Sequence, residues 1–402
     1  MSAFPPTIES FVLREIRQLR KDGWNVVIAG LRPVYKTRTP GFEDLDRYVS
    51  PAPWISLEMV AAGAFYFTRR PRQVWGCLKL ISRSFPHPVQ FVKMLYTLLS
   101  TMRFAYRFRN LPIGLVRAHF LHTEALAARF MHKLSGIPYS VTTYTVFVHF
   151  PKTVIQDILH HAAFLVADTI QVREYLESLG AESNRIHVVY NSVSIEEFPP
   201  SVRVKTAGSQ IILAVGRLDP KKGFDVLLSA CSVLSKRGVE FRCVIVGDGA
   251  ERDRLSAMRR HLGLEGYVEM VGALSFSGVK PWYYKAALLA MPSVVTSEGQ
   301  TDGLPTVVIE AMASGLPIVG TKTGAIPEAV RQGMNGFVVP PNDPESLADS
   351  IQLLLEREDL RTEFGRQSRR IAEAEFDLKH KAQSLSHLMR SHLSLNPVSD
   401  SL

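Results

Sequence analysis

Two short stretches in the C-terminal half carry side chains suited to holding a charged, hydroxyl-rich ligand. The first is Val215-Gly216-Arg217-Leu218-Asp219-Pro220-Lys221-Lys222-Gly223, in which an apolar run ends at Gly216 and Arg217 and Lys222 stand five residues apart across a turn. A guanidinium forks onto two phosphate oxygens and an ammonium acts as a point charge, so the pair could hold one diphosphate. A solvated basic turn would have the same composition. The second stretch runs from Thr301 to Gly315 and places Asp302 and Glu310 eight residues apart. Gly303 and Leu304 lie in its loop, and Pro305-Thr306 stands where a helix can begin. Free backbone N–H groups and the positive end of a helix would then converge on one spot, which suits a phosphate or a sugar. Asp302 precedes that helix and Glu310 lies about one turn inside it, so the two could touch different parts of one extended ligand. A carboxylate accepting from vicinal hydroxyls is a common way to hold ribose. Ordinary surface charge would also account for a lone Asp and Glu.

Other reactive side chains are sparse. His119 ends the apolar run LVRAHF, either as a ligand contact or as a hydrogen-bonded structural histidine. His149, His160 and His161 show no ligand spacing and read as structural, so no metal site is predicted. Cys77, Cys231 and Cys243 form no CxxC or Cys/His pattern, which fits buried thiols in a reducing compartment rather than a disulfide framework.

The elements that must position these residues alternate between strand and helix. Residues 7–21 carry Ile8, Phe11, Val12, Glu15, Ile16 and Leu19 at helical spacing, and WNVVIAGL follows as a short strand. Helix before strand implies a further strand ahead of Phe4, with Met1 an internal methionine of a longer protein. Residues 54–109 read as helical and irregular. Then LVRAHF, a helix over 122–135, YSVTTYTVFV, FLVADTI, the helical VREYLESLG and RIHVVYN continue the rhythm. The polar, Pro-bearing SIEEFPPSVRVKTAGSQ reads as a linker. Beyond it come the strands IILAVGRL, FRCVIVGDG, YVEMVG, LLAMPS and PIVGTKTG. Helices are expected over 224–236, 250–262, 278–286, about 306–314 and from 326. Alternation of this kind means parallel sheets covered by helices. The fold class expected is α/β, two Rossmann-like domains facing across a cleft, over 1–198 and 205–375, with a C-terminal helix over 376–402 crossing back. Ligands of such sheets bind beyond the carboxyl ends of the strands.

The 402 residues, 46% hydrophobic and 21% charged, are enough for two packed cores and exclude global disorder. The net charge of +9 is uneven: residues 1–200 carry 23 Lys and Arg against 15 Asp and Glu, and the rest 24 against 23. Between Met59 and Thr123 stand Arg69, Arg70, Arg72, Lys79, Arg83, Lys93, Arg103, Arg107, Arg109 and Arg117, with no acidic residue. Phe65, Tyr66, Phe67, Trp75, Phe91, Tyr96, Phe104 and Tyr106 lie among them. The 69–117 region within basic, helical 54–117 is a candidate for anionic lipid, against a simple solvated face; no nucleic-acid motif accompanies it. No signal peptide and no run of eighteen apolar residues is visible, so the expected location is the cytoplasm, on the inner face of the membrane where lipid is engaged.

The two chemical stretches, with Gly247-Asp248-Gly249, Pro292-Ser293, Thr323-Gly324-Ala325-Ile326-Pro327-Glu328 and Asn335-Gly336-Phe337, resemble glycosyltransferase family 4 of the GT-B fold. The resemblance covers about 205–375. It extends more weakly to Phe4-Pro5, Glu9-Ser10-Phe11, Ala118-His119-Phe120, Asn191 and Phe198. It implies that Arg217 and Lys222 hold a diphosphate and that Glu310 binds ribose. It further implies Asp302 on the transferred sugar beside the amides of Gly303 and Leu304, and backbone groups of Met270-Val271-Gly272 against the base. Gly216, Pro305, Thr306 and His119 complete the binding set. The family's reaction is retaining and metal-independent, with a nucleotide diphosphate sugar as co-substrate and no other cofactor. Here Asp302 replaces a Glu, Tyr144 stands where the family has a His in Thr142-Thr143-Tyr144, Phe147 replaces an Asp, and the family's first strand is absent. The implied function is sugar transfer to a membrane-associated, polysaccharide or lipid-linked glycan acceptor. A non-catalytic sugar-nucleotide-binding partner subunit is the alternative, and a sugar-nucleotide epimerase the third reading.

Overall fold

A computed structural model describes residues 10–31, 49–50, 56–83, 88–144, 150–199 and 210–395. The chain divides into two compact units, residues 1–189 with 382–402, and residues 190–381.

The first unit contains α1 (Ser10–Lys21), β1 (Ile28–Ala29), β2 (Val49–Ser50), α2 (Leu57–Arg69), α3 (Pro71–Ser82) and α4 (Pro88–Arg107). It continues with β3 (Val116–His119), α5 (Thr123–Ser135), β4 (Tyr139–Thr143), α6 (Lys152–His161), β5 (Phe164–Ala167), α7 (Ile170–Ser178) and β6 (Ile186–Val188). Strands β3, β4, β5 and β6 form one parallel sheet in that order, and β1 pairs parallel with β2 in a separate ribbon. Every residue of β4 and β5 is buried, as expected of strands covered on both faces. Their side chains join Phe130, Leu134, Ile155 and Ile158 in the core.

Three differences from the sequence reading have local causes. The strand expected over WNVVIAGL pairs only at Ile28–Ala29. The strand expected over YSVTTYTVFV stops at Thr143, where Tyr144 turns toward His119; residues 145–149, with His149, lie outside the described ones. Helix α6 lies where no element was predicted, although Val154, Ile155, Ile158 and Leu159 bury one face of it. The expectation of a strand ahead of Phe4 likewise falls outside the described residues.

The second unit contains β7 (Ile211–Val215), α8 (Phe224–Lys236), β8 (Arg242–Val246), α9 (Arg252–His261), β9 (Val268–Gly272), α10 (Phe276–Lys285), β10 (Leu288–Met291) and α11 (Thr306–Ala313). It ends with β11 (Ile318–Thr321), α12 (Ile326–Ala329), β12 (Gly336–Val339), α13 (Pro344–Glu356) and α14 (Glu358–Glu375). A last helix, α15 (Leu378–Leu395), starts here, and its residues from 382 onward belong to the first unit. All six strands are parallel, in the order β12-β11-β10-β7-β8-β9. Period-two alternation sorts β7 between two cores. Leu213 and Val215 pack with Tyr283, Val308 and Ile326, while Ile212 and Ala214 pack with Leu227, Leu347 and Ile351 on the other face. The helix expected from 326 is one short turn. Strand β12 and helices α13 and α14 follow it where the sequence reading set no elements. Residues 200–209 of the expected linker lie outside the described ones.

Candidate functional site

The order of the six-stranded sheet reverses between β7 and β10, which is where open parallel sheets bind ligands beyond their strand ends. Both chemical stretches of the sequence emerge there. After β7 the chain makes a 3-10 turn, Pro220–Lys222, and enters α8 through Gly223 at φ +64°. A Cβ on Gly223 would stand 2.0 Å from the Pro292 carbonyl oxygen, so only glycine lets the two loops touch. The Val294 N–H donates to the Lys221 carbonyl (2.9 Å) and ties the loops together.

This approach delivers Lys222 to Asp302. The Lys222 ammonium lies 2.9 Å from Asp302 Oδ2 and the Lys221 ammonium 3.5 Å from Oδ1. The Ser293 hydroxyl donates to Oδ2 at 2.9 Å. Asp302 is almost wholly buried, and its backbone is backed by the loop after β11, where a Cβ on Gly324 would meet the Asp302 carbonyl oxygen at 1.8 Å. The carboxylate is thus immobilised by two cations and a hydroxyl. Arg217 sits on the same loop as Lys222 but reaches elsewhere: its exposed guanidinium pairs with Asp219 at 2.6 Å. The two cations are therefore neighbours in the loop with different acidic partners, rather than bound to a common group.

Glu310 occupies the second turn of α11, buried, and its Oε2 accepts from the Tyr283 hydroxyl of α10 at 2.9 Å. Helix α11 begins after Pro305 with no side-chain cap, so Gly303, Leu304 and Thr306 surround an uncapped N-terminus beside Asp302. Val271 and Gly272 end β9, two strands away from β7. Gly272 adopts φ +89° and its carbonyl accepts from the Gly247 N–H at 2.9 Å. Gly216 closes β7 against the Lys222 side chain, and a Cβ there would meet Lys222 Cε at 3.4 Å.

In the first unit, the carboxyl ends of β3 and β4 bring together two residues predicted separately. His119 Nδ1 lies 2.9 Å from the Tyr144 hydroxyl, with the rings stacked at 6.1 Å between centroids. Phe120 between them takes φ +73°, a conformation that costs a non-glycine residue about 1–3 kcal/mol. The Phe120 N–H donates to the Thr142 carbonyl, and its ring lies against Tyr144. Glu15 of α1, fully buried, accepts from Arg117 Nη2 at 2.8 Å and stands 3.7 Å from His119 Nε2. Arg117 also donates to Thr142 Oγ1 at 3.0 Å.

Sequence reasoning named Ser293 only within the Pro292-Ser293 motif and missed the roles of Lys221, Tyr283 and Glu15. Of these three, Glu15 left a signal, as the one charge in the apolar stripe of α1. Of the ten basic residues between Met59 and Thr123, Arg103 and Arg117 are drawn inward, to Glu58 and Glu15, while Arg69, Arg72, Lys79 and Lys93 are exposed. The His160 backbone carbonyl accepts from Arg185 Nη1, and His161 Nδ1 hydrogen-bonds the Asp157 carbonyl of its own helix. The three cysteines are buried, and burial pushes the Cys77 thiol up to about 12. Among the described residues no cluster of His, Cys, Asp and Glu could hold a metal ion, and no helix is long and apolar enough to cross a membrane.

Two parallel sheets of this topology, the second ordered around a central switch point, define the GT-B class of fold. The whole chain superposes on a glycosyltransferase of Rickettsia africae with a TM-score of 0.76, covering 100% of this chain and 97% of that one at 16% identity. It superposes on Anabaena HepE, solved with UDP and glucose, with a TM-score of 0.70 over 97% and 98% at 18% identity. Residues 197–371, within the second unit, match the family described as Glycosyl transferases group 1. The candidate colanic acid biosynthesis glycosyltransferase WcaL of Escherichia coli is 35% identical over 44% of this chain and 43% of its own length. The amylovoran biosynthesis glycosyltransferase AmsK of Erwinia amylovora is 31% identical over 43% and 42%. The chain thus spans under half the length of these curated relatives.

Proposed function

We propose that this chain is a glycosyltransferase that moves a sugar from a nucleoside diphosphate donor onto a hydroxyl of a growing glycan. The observation that carries the proposal is the Lys222–Asp302–Ser293 cluster at the switch point of the six-stranded sheet, inside the stretch that matches the Glycosyl transferases group 1 family. Asp302, paired with the ammonium groups of Lys222 and Lys221, accepts from hydroxyls of the transferred sugar. Glu310, oriented by Tyr283, accepts from the ribose. Lys222 and Arg217 face the diphosphate when the donor is present, and the uncapped N-terminus of α11 adds partial positive charge. Together these stabilise the negative charge that develops on the leaving group. That division of labour needs no metal, and the family resemblance further suggests retention of anomeric configuration. UDP-sugars are the first donors to try, since UDP occupies HepE.

The acceptor side is assigned to His119 and Tyr144. A phenol with an ordinary pKa near ~10 is a poor base at neutral pH. His119 can take its proton while Glu15 offsets the resulting charge, so the pair can both position and relay. The acceptor is a polysaccharide or lipid-linked glycan, in line with the biosynthetic roles in the relatives' names. The first unit supplies a membrane-facing surface: Leu57 and Trp75 are 89% and 71% exposed beside exposed Arg69, Arg72 and Lys79. Donor turnover tests the reading. Tyr144→Phe keeps the ring and removes the hydroxyl, and should lower kcat/KM by about 10–100-fold with donor affinity unchanged. Donor binding without turnover by the unmodified protein, across nucleotide sugars and lipid acceptors, would make it a binding subunit instead.

A further inference from the structure

The two oxygens of the Asp302 carboxylate are unequally engaged. Oδ2 accepts from the Ser293 hydroxyl and pairs with the Lys222 ammonium, each at 2.9 Å. Among the described residues, Oδ1 has only the Lys221 ammonium, at 3.5 Å, beyond the usual hydrogen-bond range. Each carboxylate oxygen offers two acceptor sites, so Oδ2 is full and Oδ1 has room for an incoming hydroxyl. Ser293 is itself held. Wholly buried just past β10, it offers its carbonyl to the hydroxyls of Thr321 and Thr323, the latter at 3.2 Å, at the end of the neighbouring strand β11. Period-two alternation turns both threonines inward and leaves Lys322 between them exposed. Their hydroxyls lie 3.1 Å apart, and the Thr323 N–H donates to the Thr321 carbonyl at 2.8 Å. Gly324 comes next and packs against the Asp302 carbonyl. The end of β11 therefore reaches Asp302 twice, through Ser293 to the carboxylate and through Gly324 to the main chain. Packing alone does not ask for these hydroxyls, since valine has nearly the shape of threonine and buries no polar atom.

We propose that Ser293, Thr321 and Thr323 are positioning residues that decide which sugar is transferred, an inference that rests on Asp302 contacting the transferred sugar. The terminal torsion of an aspartate is broad and two-fold, so an unanchored carboxylate would offer either oxygen over a range of directions. Anchoring Oδ2 removes that freedom and aims Oδ1 at a hydroxyl on one face of one ring carbon. When the donor arrives and Lys222 turns to the diphosphate, the Ser293 hydroxyl is the group that stays on Oδ2. Thr321 and Thr323 keep it there by fixing the carbonyl of the same residue. All three are buried, so none needs to touch the ligand. A site built to accept from one hydroxyl rejects the epimer that lacks it there, because its buried acceptor is then left unpaired. The clamp thus acts on turnover and on discrimination between sugar epimers, and leaves the nucleotide alone.

Thr321→Val with Thr323→Val removes both hydroxyls and keeps the bulk, whereas Thr321→Ser with Thr323→Ser keeps the hydroxyls. Calorimetry reads the binding of UDP, and UDP release reads turnover of UDP-glucose. The comparison donors are UDP-mannose, UDP-allose and UDP-galactose, each of which inverts one ring carbon of UDP-glucose. The valine pair should leave the UDP dissociation constant within about twofold and lower kcat on the best donor by ~10-fold. It should also narrow the kcat/KM ratio between that donor and one of its epimers by at least ~5-fold. Ser293→Ala should do the same, and the serine pair should restore both kcat and the ratio. UDP affinity and kcat falling together, or a serine pair that restores neither, shows that the hydroxyls serve only the packing of the loop and overturns the proposal. Unchanged ratios in the valine pair and in Ser293→Ala overturn it as well. Where the donors bind without turnover, their dissociation constants relative to UDP replace kcat/KM in the same comparison. Asp302→Ala separates the two levels. If that variant still binds UDP and keeps the ratios, the contact of Asp302 with the sugar is what fails; an unmodified protein that binds neither UDP nor these donors refutes the donor site itself. The positioning role falls in both cases.

Discussion

Replacing Lys222 by Met keeps the aliphatic stem and removes the charge that holds Asp302. In the native site the ammonium and carboxylate are 2.9 Å apart, and only 13% and 8% of the two side chains are exposed. At an effective dielectric constant of about 20 the gross attraction is about 6 kcal/mol, most of it offset by the desolvation of both groups. The measurable cost comes from stranding Asp302, for which removal of a buried partner typically costs about 3–5 kcal/mol. Lys221 at 3.5 Å and the Ser293 hydroxyl remain, so the expected loss is about 2–3 kcal/mol. Adding Asp302→Asn relieves the stranded charge. The double variant should therefore be more stable than the sum of the single losses by about 1–2 kcal/mol in a urea-unfolding cycle. The same Lys222→Met protein should lose donor turnover, read as nucleoside diphosphate release, by ~100-fold, or about 3 kcal/mol of transition-state stabilisation. A loss of stability below about 0.5 kcal/mol with additive single effects would refute the assigned contact. A stability loss with full turnover would reduce the pair to a structural one.

Three further outcomes follow from the same geometry. Glu310→Gln should weaken donor binding by about 1.5–3 kcal/mol in calorimetry, and Tyr283→Phe, which frees the carboxylate without removing it, by less; the reverse ranking would assign Glu310 a packing role. The protein should bind liposomes containing anionic lipid in a salt-sensitive way, with Trp75→Ser and Arg72→Glu each weakening it, and equal partitioning onto neutral liposomes rejects the membrane surface. Burial holds the His132, His187 and His392 imidazoles of the first unit below their ordinary value of 6.5. The unfolded chain then binds more protons, so their contribution is full above about pH 7 and is lost as pH falls through the folded values. The urea midpoint of the first unit should drop between pH 7.5 and 5.5, a change that His132→Gln should diminish.

The sequence alone determined what local patterns encode. Helix α8 runs over the predicted residues 224–236, and β7 to β11 fall within the predicted apolar runs. The reason is that a buried parallel strand must be apolar on both faces while the helix beside it repeats every 3.6 residues. The loops bearing Arg217, Lys222, Asp302 and Glu310 were legible for a similar reason, because glycine and proline at tight approaches leave few alternatives. Gly223 against Pro292 is one such approach. Tertiary structure decided which of those residues meet. Lys222 turned to Asp302 and Arg217 to Asp219 because strand order, not spacing along the chain, sets the loops side by side. Tyr283 reached Glu310 across 27 residues, and Glu15 reached Arg117 across 102. No periodicity spans such distances, since the pairing follows from how helices pack over sheets. The joining of His119 to Tyr144 came from the same source: two neighbouring parallel strands end at one edge, and only the register between them brings an imidazole to a phenol.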